Sequence, residues 1–337
     1  MILSERIQAF QELKNSIKTQ LEIAENPLFI QARNTNTWFT IESLRSSFEG
    51  LMRLLDSEKM GEWLSRYNIS EESSELQVGL MLAGNIPAVG FHDLMCVLIS
   101  GKKAAVKLSN ADSVLMGWII SELMKIDDRF VEQISVEPIL KGKDAYIATG
   151  SDNSSRYFDY YFGKYPHIIR RNRTSVAVLD GNESTEELEK LGIDIFTYFG
   201  LGCRNVSKLY VKEDFDLNSL LGALESYKYV ADHHKYFNNY EYNKSIYLVN
   251  GTPHLDSGFL LLKEDDQIVS PISTLFYEQY EDQEDLLRKL GNDAEKIQCV
   301  VGKGEGLIPF GQAQFPLVDD YADGVDTMSF LTRLKEN

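Results

Sequence analysis

The sequence predicts an α/β protein with two parallel-sheet domains preceded by a helical segment. Three observations carry this reading. Apolar residues recur at three- and four-residue spacing through residues 1–75. From Leu76 onward short apolar runs alternate with helix-patterned stretches, and a second alternation starts near Ser175. Each strand–helix–strand step carries the chain back across the sheet, so the strands run parallel and helices cover both faces. The expected divisions are a helical segment over 1–75, an α/β domain over 76–175 and a second over 176–315. A C-terminal segment, 316–337, returns to the first α/β domain or forms a contact between copies.

The elements follow in order. Asn34 to Thr37 breaks the first helical stretch, and a second helix is expected from Thr40, with Glu42 in its first turn. Ser70 to Ser74 is a polar connector. Residues 77–89 (QVGLMLAGNIPAV) read as a buried strand feeding a tight Gly-Asn-x-Pro turn, and residues 91–100 as a helix. Residues 104–108 form a second strand, Asp112 to Met124 a helix, and residues 145–148 a third strand that ends at Thr149-Gly150-Ser151. In the second region the expected strands are 175–180, 207–211, 245–250, 258–262 and 270–278. Helices are expected from Glu183 to Lys190 and from Glu281 to Leu290. Ligands of such sheets bind beyond the carboxyl ends of the strands.

Composition narrows the function. The 337 residues carry 34 basic and 51 acidic side chains, a net charge of −17, which repels nucleic acid and anionic headgroups. Arg170, Arg171 and Arg173 are the one cluster that would offer an anion a local basic pocket. Three cysteines, at 96, 203 and 299, are too few and odd in number for a disulfide framework, which suits a reducing cytoplasm. The N-terminus lacks the pattern of a signal peptide. The most apolar stretch, 78–100, is broken by Asn85, Pro87, His92 and Asp93, so no membrane insertion is expected.

Several residues bear chemistry, each with a plainer alternative. Cys203 follows Gly200 and Gly202, which permit an unusual backbone, and precedes Arg204, whose charge favours a thiolate. The alternative is a buried structural cysteine. Asn85 is either an amide donor to an oxyanion or a turn residue. Lys107 and Ser109 end a strand, where a lysine binds ribose or phosphate or merely snorkels to solvent. Thr149, Gly150 and Ser151 form either a phosphate-binding turn or a helix cap. His233 and His234 are either a proton donor near a substrate or a capping pair. No metal ligand set, nucleophile elbow or phosphate-binding P-loop is present.

The order of these motifs is more specific than any one of them. Gly-Asn-x-Pro, a strand-end Lys, Thr-Gly-Ser, Gly-x-Gly-Cys, Ser-Pro and Pro-Phe-Gly follow one another between residues 76 and 335. That order resembles the aldehyde dehydrogenase superfamily, and most of all its acyl-CoA reductase branch, which includes the fatty-acid reductases of bacterial luminescence. The resemblance implies an aldehyde dehydrogenase-like fold of two Rossmann-like parallel-sheet domains, with residues 76–175 binding the dinucleotide. It implies that Cys203 is the catalytic thiol and that Asn85, with the Cys203 amide, forms the oxyanion hole. Lys107 would then meet the adenosine ribose or its 2′-phosphate, and Gly150 and Ser151 the pyrophosphate, with Ser109, Thr149 and Gln267 as further cofactor-binding residues. Arg204, His233, His234, Pro309 and Phe310 would border the substrate funnel.

Two departures from the family pattern bear on the reaction. The glutamate that activates a hydrolytic water in aldehyde-oxidising members has no counterpart in residues 167–178 (HIIRRNRTSVAV). The glutamate that holds the nicotinamide ribose is replaced by Gln267. The first fits an enzyme that reduces a thioester without hydrolysing it; the second leaves Gln267 able to hydrogen-bond hydroxyls without charge, so that contact does not carry over directly. The expected function is reduction of an acyl-CoA to an aldehyde through a Cys203 acyl-enzyme, with NADPH (or NADH) as hydride donor, in a homo-oligomer. The alternatives are a cysteine-dependent acyltransferase or thioesterase without redox chemistry, and a non-catalytic scaffold of the same fold.

Overall fold

A computed structural model describes residues 1–150 and 152–335. The chain divides into two compact units, residues 1–172 with 316–337 and residues 173–315.

The first unit opens with four helices, α1 (Leu3–Glu22), α2 (Pro27–Thr35), α3 (Ile41–Leu54) and α4 (Ser57–Leu64), where the sequence pattern suggested two. The unforeseen breaks are capped locally. Asn26 accepts from the amides of Leu28 and Phe29, with Pro27 as the first helical residue, and Asp56 accepts from Lys59. Then come β1 (Gln77–Met81), α5 (Phe91–Ile99), β2 (Lys103–Lys107), α6 (Ser113–Ile126), α7 (Phe130–Gln133), β3 (Ile134–Val136), β4 (Ala145–Thr149), α8 (Asp152–Phe162) and β5 (His167–Arg170). The five strands are all parallel, in the order β3-β2-β1-β4-β5.

Alternate residues explain why these strands read as unbroken apolar runs. Val78, Leu80, Ala104, Val106, Ala145 and Ile147 bury on the face covered by α1, α3, α5 and α6. Ala105, Tyr146 and Ala148 bury on the other face with Phe162 of α8. Both faces are dry, so neither strand face calls for polar residues. α13 (Thr327–Arg333) closes the unit, adding Met328 and Leu331 to the larger core. Its approach is fixed by Tyr321, which accepts from Trp63 Nε1 at 2.7 Å.

The second unit contains β6 (Thr174–Leu179), α9 (Thr185–Phe196), β7 (Val206–Lys212), α10 (Leu217–Ala223), α11 (His234–Val249), β8 (Leu255–Asp256), β9 (Leu261–Glu264), β10 (Thr274–Tyr280), α12 (Gln283–Asn292) and β11 (Ile297–Val301). Its sheet runs β11-β6-β7-β10-β9-β8, parallel except for the short β8–β9 pair. The strand expected at 245–250 is instead the last turn of α11. Tyr236, Tyr240, Asn243 and Tyr247 bury at helical spacing, while Leu248 and Val249 are exposed. Strands β3, β5, β8 and β11 were not foreseen. The strands expected at 258–262 and 270–278 begin only at Leu261 and Thr274, because Gly258 and Ser273 adopt positive φ of 89° and 62° in the turns before them. Among the described residues no helix is long and apolar enough to cross a membrane.

Candidate active site

In the first unit the candidate cofactor residues gather at the carboxyl ends of three adjacent strands. Met81 of β1 lies level with Lys107 of β2 and Ala148 of β4. β2 and β4 flank β1 while the chain visits them in opposite directions, so β1 and β4 border the point where strand order reverses. That is where open α/β sheets bind ligands. Asn85 is exposed in the loop after β1, Lys107 is the half-buried last residue of β2, and Thr149 and Gly150 follow β4, also half-buried. Ser151 lies outside the described residues.

The Asn85 loop is held from beneath. A Cβ on Gly84 would lie 2.5 Å from Ser109 Oγ and 3.1 Å from Asp112 Cβ, so only glycine lets the loop sit there. Ala88, at a φ of 54°, donates its amide to Asp112 Oδ2 at 2.8 Å, and Ser47 donates to the Pro87 carbonyl at 2.8 Å. Asp112 is 3% exposed and its Oδ1 is buried without a partner. Burial pushes its carboxyl up to about 8, against the pull of the Ala88 amide. Ser109 accepts from the Ala111 amide at 3.3 Å, so its oxygen also caps a turn.

The arginine cluster does not form a basic pocket. Arg170 is buried and paired with Asp93, and it also donates to Thr327 Oγ1 at 2.9 Å. Arg171 pairs with Asp159 on the surface, and Arg173 donates to the Ile297 carbonyl. Folding pairs the buried member of this cluster, Arg170, with a carboxylate of its own unit.

In the second unit Cys203 occupies a tight turn between α9 and β7, half-buried. Phe199 and Gly200 precede it with φ of 56° and 81°. For phenylalanine that backbone costs energy and persists only where its surroundings impose it. Asn205, 1% exposed, supplies the constraint. Its Oδ1 accepts from the Gly202 amide at 2.8 Å, and its Nδ2 donates to the carbonyls of Asp194 and Ile195 at 3.2 Å. Ser175, wholly buried on β6, donates to the Cys203 carbonyl at 3.0 Å.

Pro309, Phe310 and Gly311 are tied to the same turn. Asp194, wholly buried on α9, accepts from the amides of Gly311 at 2.6 Å and Ala313 at 2.9 Å. Burial raises its carboxyl to about 6, although both amides and the Arg204 charge pull it down. Arg204 donates through Nε to the Ala313 carbonyl, and Gln314 donates to the Arg204 carbonyl at 3.1 Å. Pro309 is exposed and Phe310 is buried. Arg204 therefore has a structural task besides any effect on the thiol.

The remaining candidates are set apart. His233 caps α11, its Nδ1 accepting from the Tyr236 amide at 3.4 Å, and packs at a tilt of 36° against Phe199 with centroids 4.6 Å apart. His234 is exposed and stacks on His233. His233 thus has a capping task, and His234 stands on the surface. Gln267 is exposed between β9 and β10, its amide bound to Asp265 Oδ1 at 2.9 Å. Behind the Cys203 turn a cavity of about 30 Å³ is lined by Phe199, Gly200, Tyr236 and Thr274. The hydroxyls of Tyr236 and Thr274 are buried there without partners, and the space suffices for a water. Among the described residues no group of His, Cys, Asp and Glu is arranged to hold a metal ion.

Solved structures share this architecture. An NADP-dependent enzyme of E. coli superposes with a TM-score of 0.67 at 11% identity, covering 90% of this chain and 74% of that one. Aldehyde dehydrogenase 21 of Physcomitrella patens, solved with succinate as its reaction product, gives 0.66 at 12% identity, covering 98% and 84%. This chain has an aldehyde dehydrogenase-like fold. An aldehyde dehydrogenase of Bacillus cereus in complex with NAD+ gives 0.63 at 12% identity, covering 90% and 73%. No protein-family model and no curated protein matches the sequence. At such identities the likeness speaks for the fold.

Sequence reasoning passed over Ser175, Asp194, Asn205, Gln314 and Asp112. One of them had a signal: Asp194 is a charged residue flanked in sequence by Ile193 and Ile195 in the last turn of a helix. Ser175, Gln314 and Asp112 bond backbone groups 24 or more residues away, and Asn205 bonds both the nearby Gly202 amide and carbonyls of α9.

Proposed function

We propose that the protein is a nicotinamide-dependent acyl-CoA reductase, forming an aldehyde through an acyl-enzyme at Cys203. The observation that carries this is the Cys203 turn. A thiol sits four residues after the strained Phe199 backbone, in a turn before β7 that Asn205 holds, and residues 311–314 are pinned to that turn and to α9 through Asp194, Arg204 and Gln314. Strained backbone held by buried polar groups is characteristic of functional positions.

The donor set of the first unit fits a dinucleotide. Lys107 offers an ammonium at a strand end, and Thr149 and Gly150 lead from β4 towards the amino end of α8, where backbone amides favour a phosphate. When bound, NADPH supplies the hydride that reduces the acyl group.

The chain's own residues do the rest. The Cys203 thiolate attacks the thioester carbonyl, the carbon–sulfur bond to CoA breaks, and CoA leaves as a thiolate. The Cys203 amide donates to the oxyanion, and the family resemblance gives the Asn85 side chain a share in that task. Removing such a donor costs about 3 kcal/mol of barrier. The stretch 167–178 carries no carboxylate to activate water, so the acyl-enzyme survives until it is reduced.

The test is NADPH consumption across a panel of acyl-CoAs, with Cys203→Ala in parallel. Turnover of at least one acyl-CoA, abolished by the substitution, is expected. Turnover that survives it removes the nucleophile assignment. CoA release without NADPH oxidation would favour acyl transfer or hydrolysis, and absence of dinucleotide binding by calorimetry would leave a scaffold.

A further inference from the structure

A second cysteine stands at the base of the Cys203 turn, and the proposed reaction does not use it. Cys299 lies on β11, where the pairing with β6 slips between Ile297 and Val300. There its Sγ lies 2.9 Å from Ser175 Oγ. The Ser175 hydroxyl has a single hydrogen, which goes to the Cys203 carbonyl at 3.0 Å. The Cys299 thiol is therefore the donor in its contact with Ser175. Both contacts share one oxygen, so the Cys299 sulfur lies within about 6 Å of the Cys203 carbonyl oxygen. Cys203 and Cys299 are both half-buried thiols of the second unit, whereas Cys96 is wholly buried in the first.

We propose that Cys203 and Cys299 form a redox couple, with Cys203 the thiol that a peroxide oxidises and Cys299 the thiol that resolves it. In the first step the Cys203 sulfur attacks a peroxide oxygen. The O–O bond breaks, the peroxide is reduced, and Cys203 becomes a sulfenic acid. In the second step the Cys299 sulfur attacks the sulfenic sulfur. The S–O bond breaks, an S–S bond forms, and the hydroxyl leaves as water with the Cys299 proton. The disulfide spans two adjoining segments of one unit, the β6–β11 seam and the turn before β7. It halts thiol chemistry at Cys203 and shields that sulfur from irreversible oxidation to the sulfinic acid. A dithiol reductant restores both thiols.

The full chain is treated with hydrogen peroxide without nucleotide or acyl donor, alkylated, digested and examined by mass spectrometry under non-reducing conditions. The expected product is a peptide pair linked through Cys203 and Cys299 that dithiothreitol separates, with Cys96 still a thiol. In Cys299→Ser the link is absent, and Cys203 sulfinic acid accumulates about tenfold faster than in the parent. The proposal is overturned if Cys203 links to Cys96 or to a second chain instead. It is also overturned if Cys203 reaches the sulfinic acid equally fast with and without Cys299, or if no reversible link forms. If Cys299→Ser does not fold, the linked peptide of the parent protein decides alone. The readout is sulfur chemistry, so its failure and a failure of the reductase assay are separate results.

Discussion

Asp112 is the residue whose protonation the fold controls most plainly. Its folded pKa, about 8, lies above the usual carboxylate value near 3.8, so the folded chain holds that proton more tightly than the unfolded chain does. The associated stability is complete below the unfolded pKa and is lost as pH rises towards 8, at about 1.4 kcal/mol per pH unit across that window. Asp112→Asn keeps an acceptor for the Ala88 amide and cannot ionise. Urea midpoints between pH 5 and pH 8 should therefore fall less in the variant than in the parent. Parallel pH dependence in the two proteins would remove the buried-carboxyl argument. Asn85→Ala addresses the chemistry. It should lower the turnover rate more than the affinity for acyl-CoA, and unchanged turnover counts against an oxyanion role.

At the scale of elements, the Cys203 turn depends on side chains that satisfy its backbone. Asn205→Ala leaves the Gly202 amide without its acceptor and removes a donor from the carbonyls of Asp194 and Ile195, of which Asp194 keeps Gln314. That should destabilise the chain by about 1–3 kcal/mol and change the rate of Cys203 alkylation. An unaltered denaturation midpoint and alkylation rate would show that the turn holds itself. Strands β1, β2 and β4 were legible in the sequence because burial on both faces leaves unbroken apolar runs. The edge strands β3 and β5 were not, being three and four residues long with polar or half-exposed positions. Residues 245–250 were misread for a related reason. Six residues do not separate a strand from a helix end, whereas the buried tyrosines of α11 recur at helical spacing over sixteen.

At the scale of the whole molecule, the first unit is discontinuous in sequence. Residues 316–337 bring Val318, Met328 and Leu331 into its core, and Tyr321 bonds Trp63 and Tyr67. Ending the chain at Phe315 should cost several kcal/mol from apolar burial alone, at roughly 1.5–3 kcal/mol per side chain. Limited proteolysis of that truncation is expected to cut within residues 1–172. Equal protease resistance of the truncated and full chains would show that the returning segment adds nothing. The net charge of −17 acts on the molecule as a whole. Raising the salt from about 0.01 to 0.15 M should increase the melting temperature by screening self-repulsion, and a fall would contradict that account.

By itself the sequence determined the α/β class, the two alternations that build the parallel sheets, and which residue types stood ready for chemistry. Those are properties of near neighbours, recorded in apolar period and turn composition. Tertiary structure alone decided the partners. It buried Arg170 against Asp93, turned Arg204 to the Ala313 carbonyl, set Asp194 beneath Gly311 and brought Cys299 to Ser175. Each of these pairs joins residues 77 to 124 positions apart. Packing brings such residues together, and a pattern read over a few turns of helix or strand holds no trace of it.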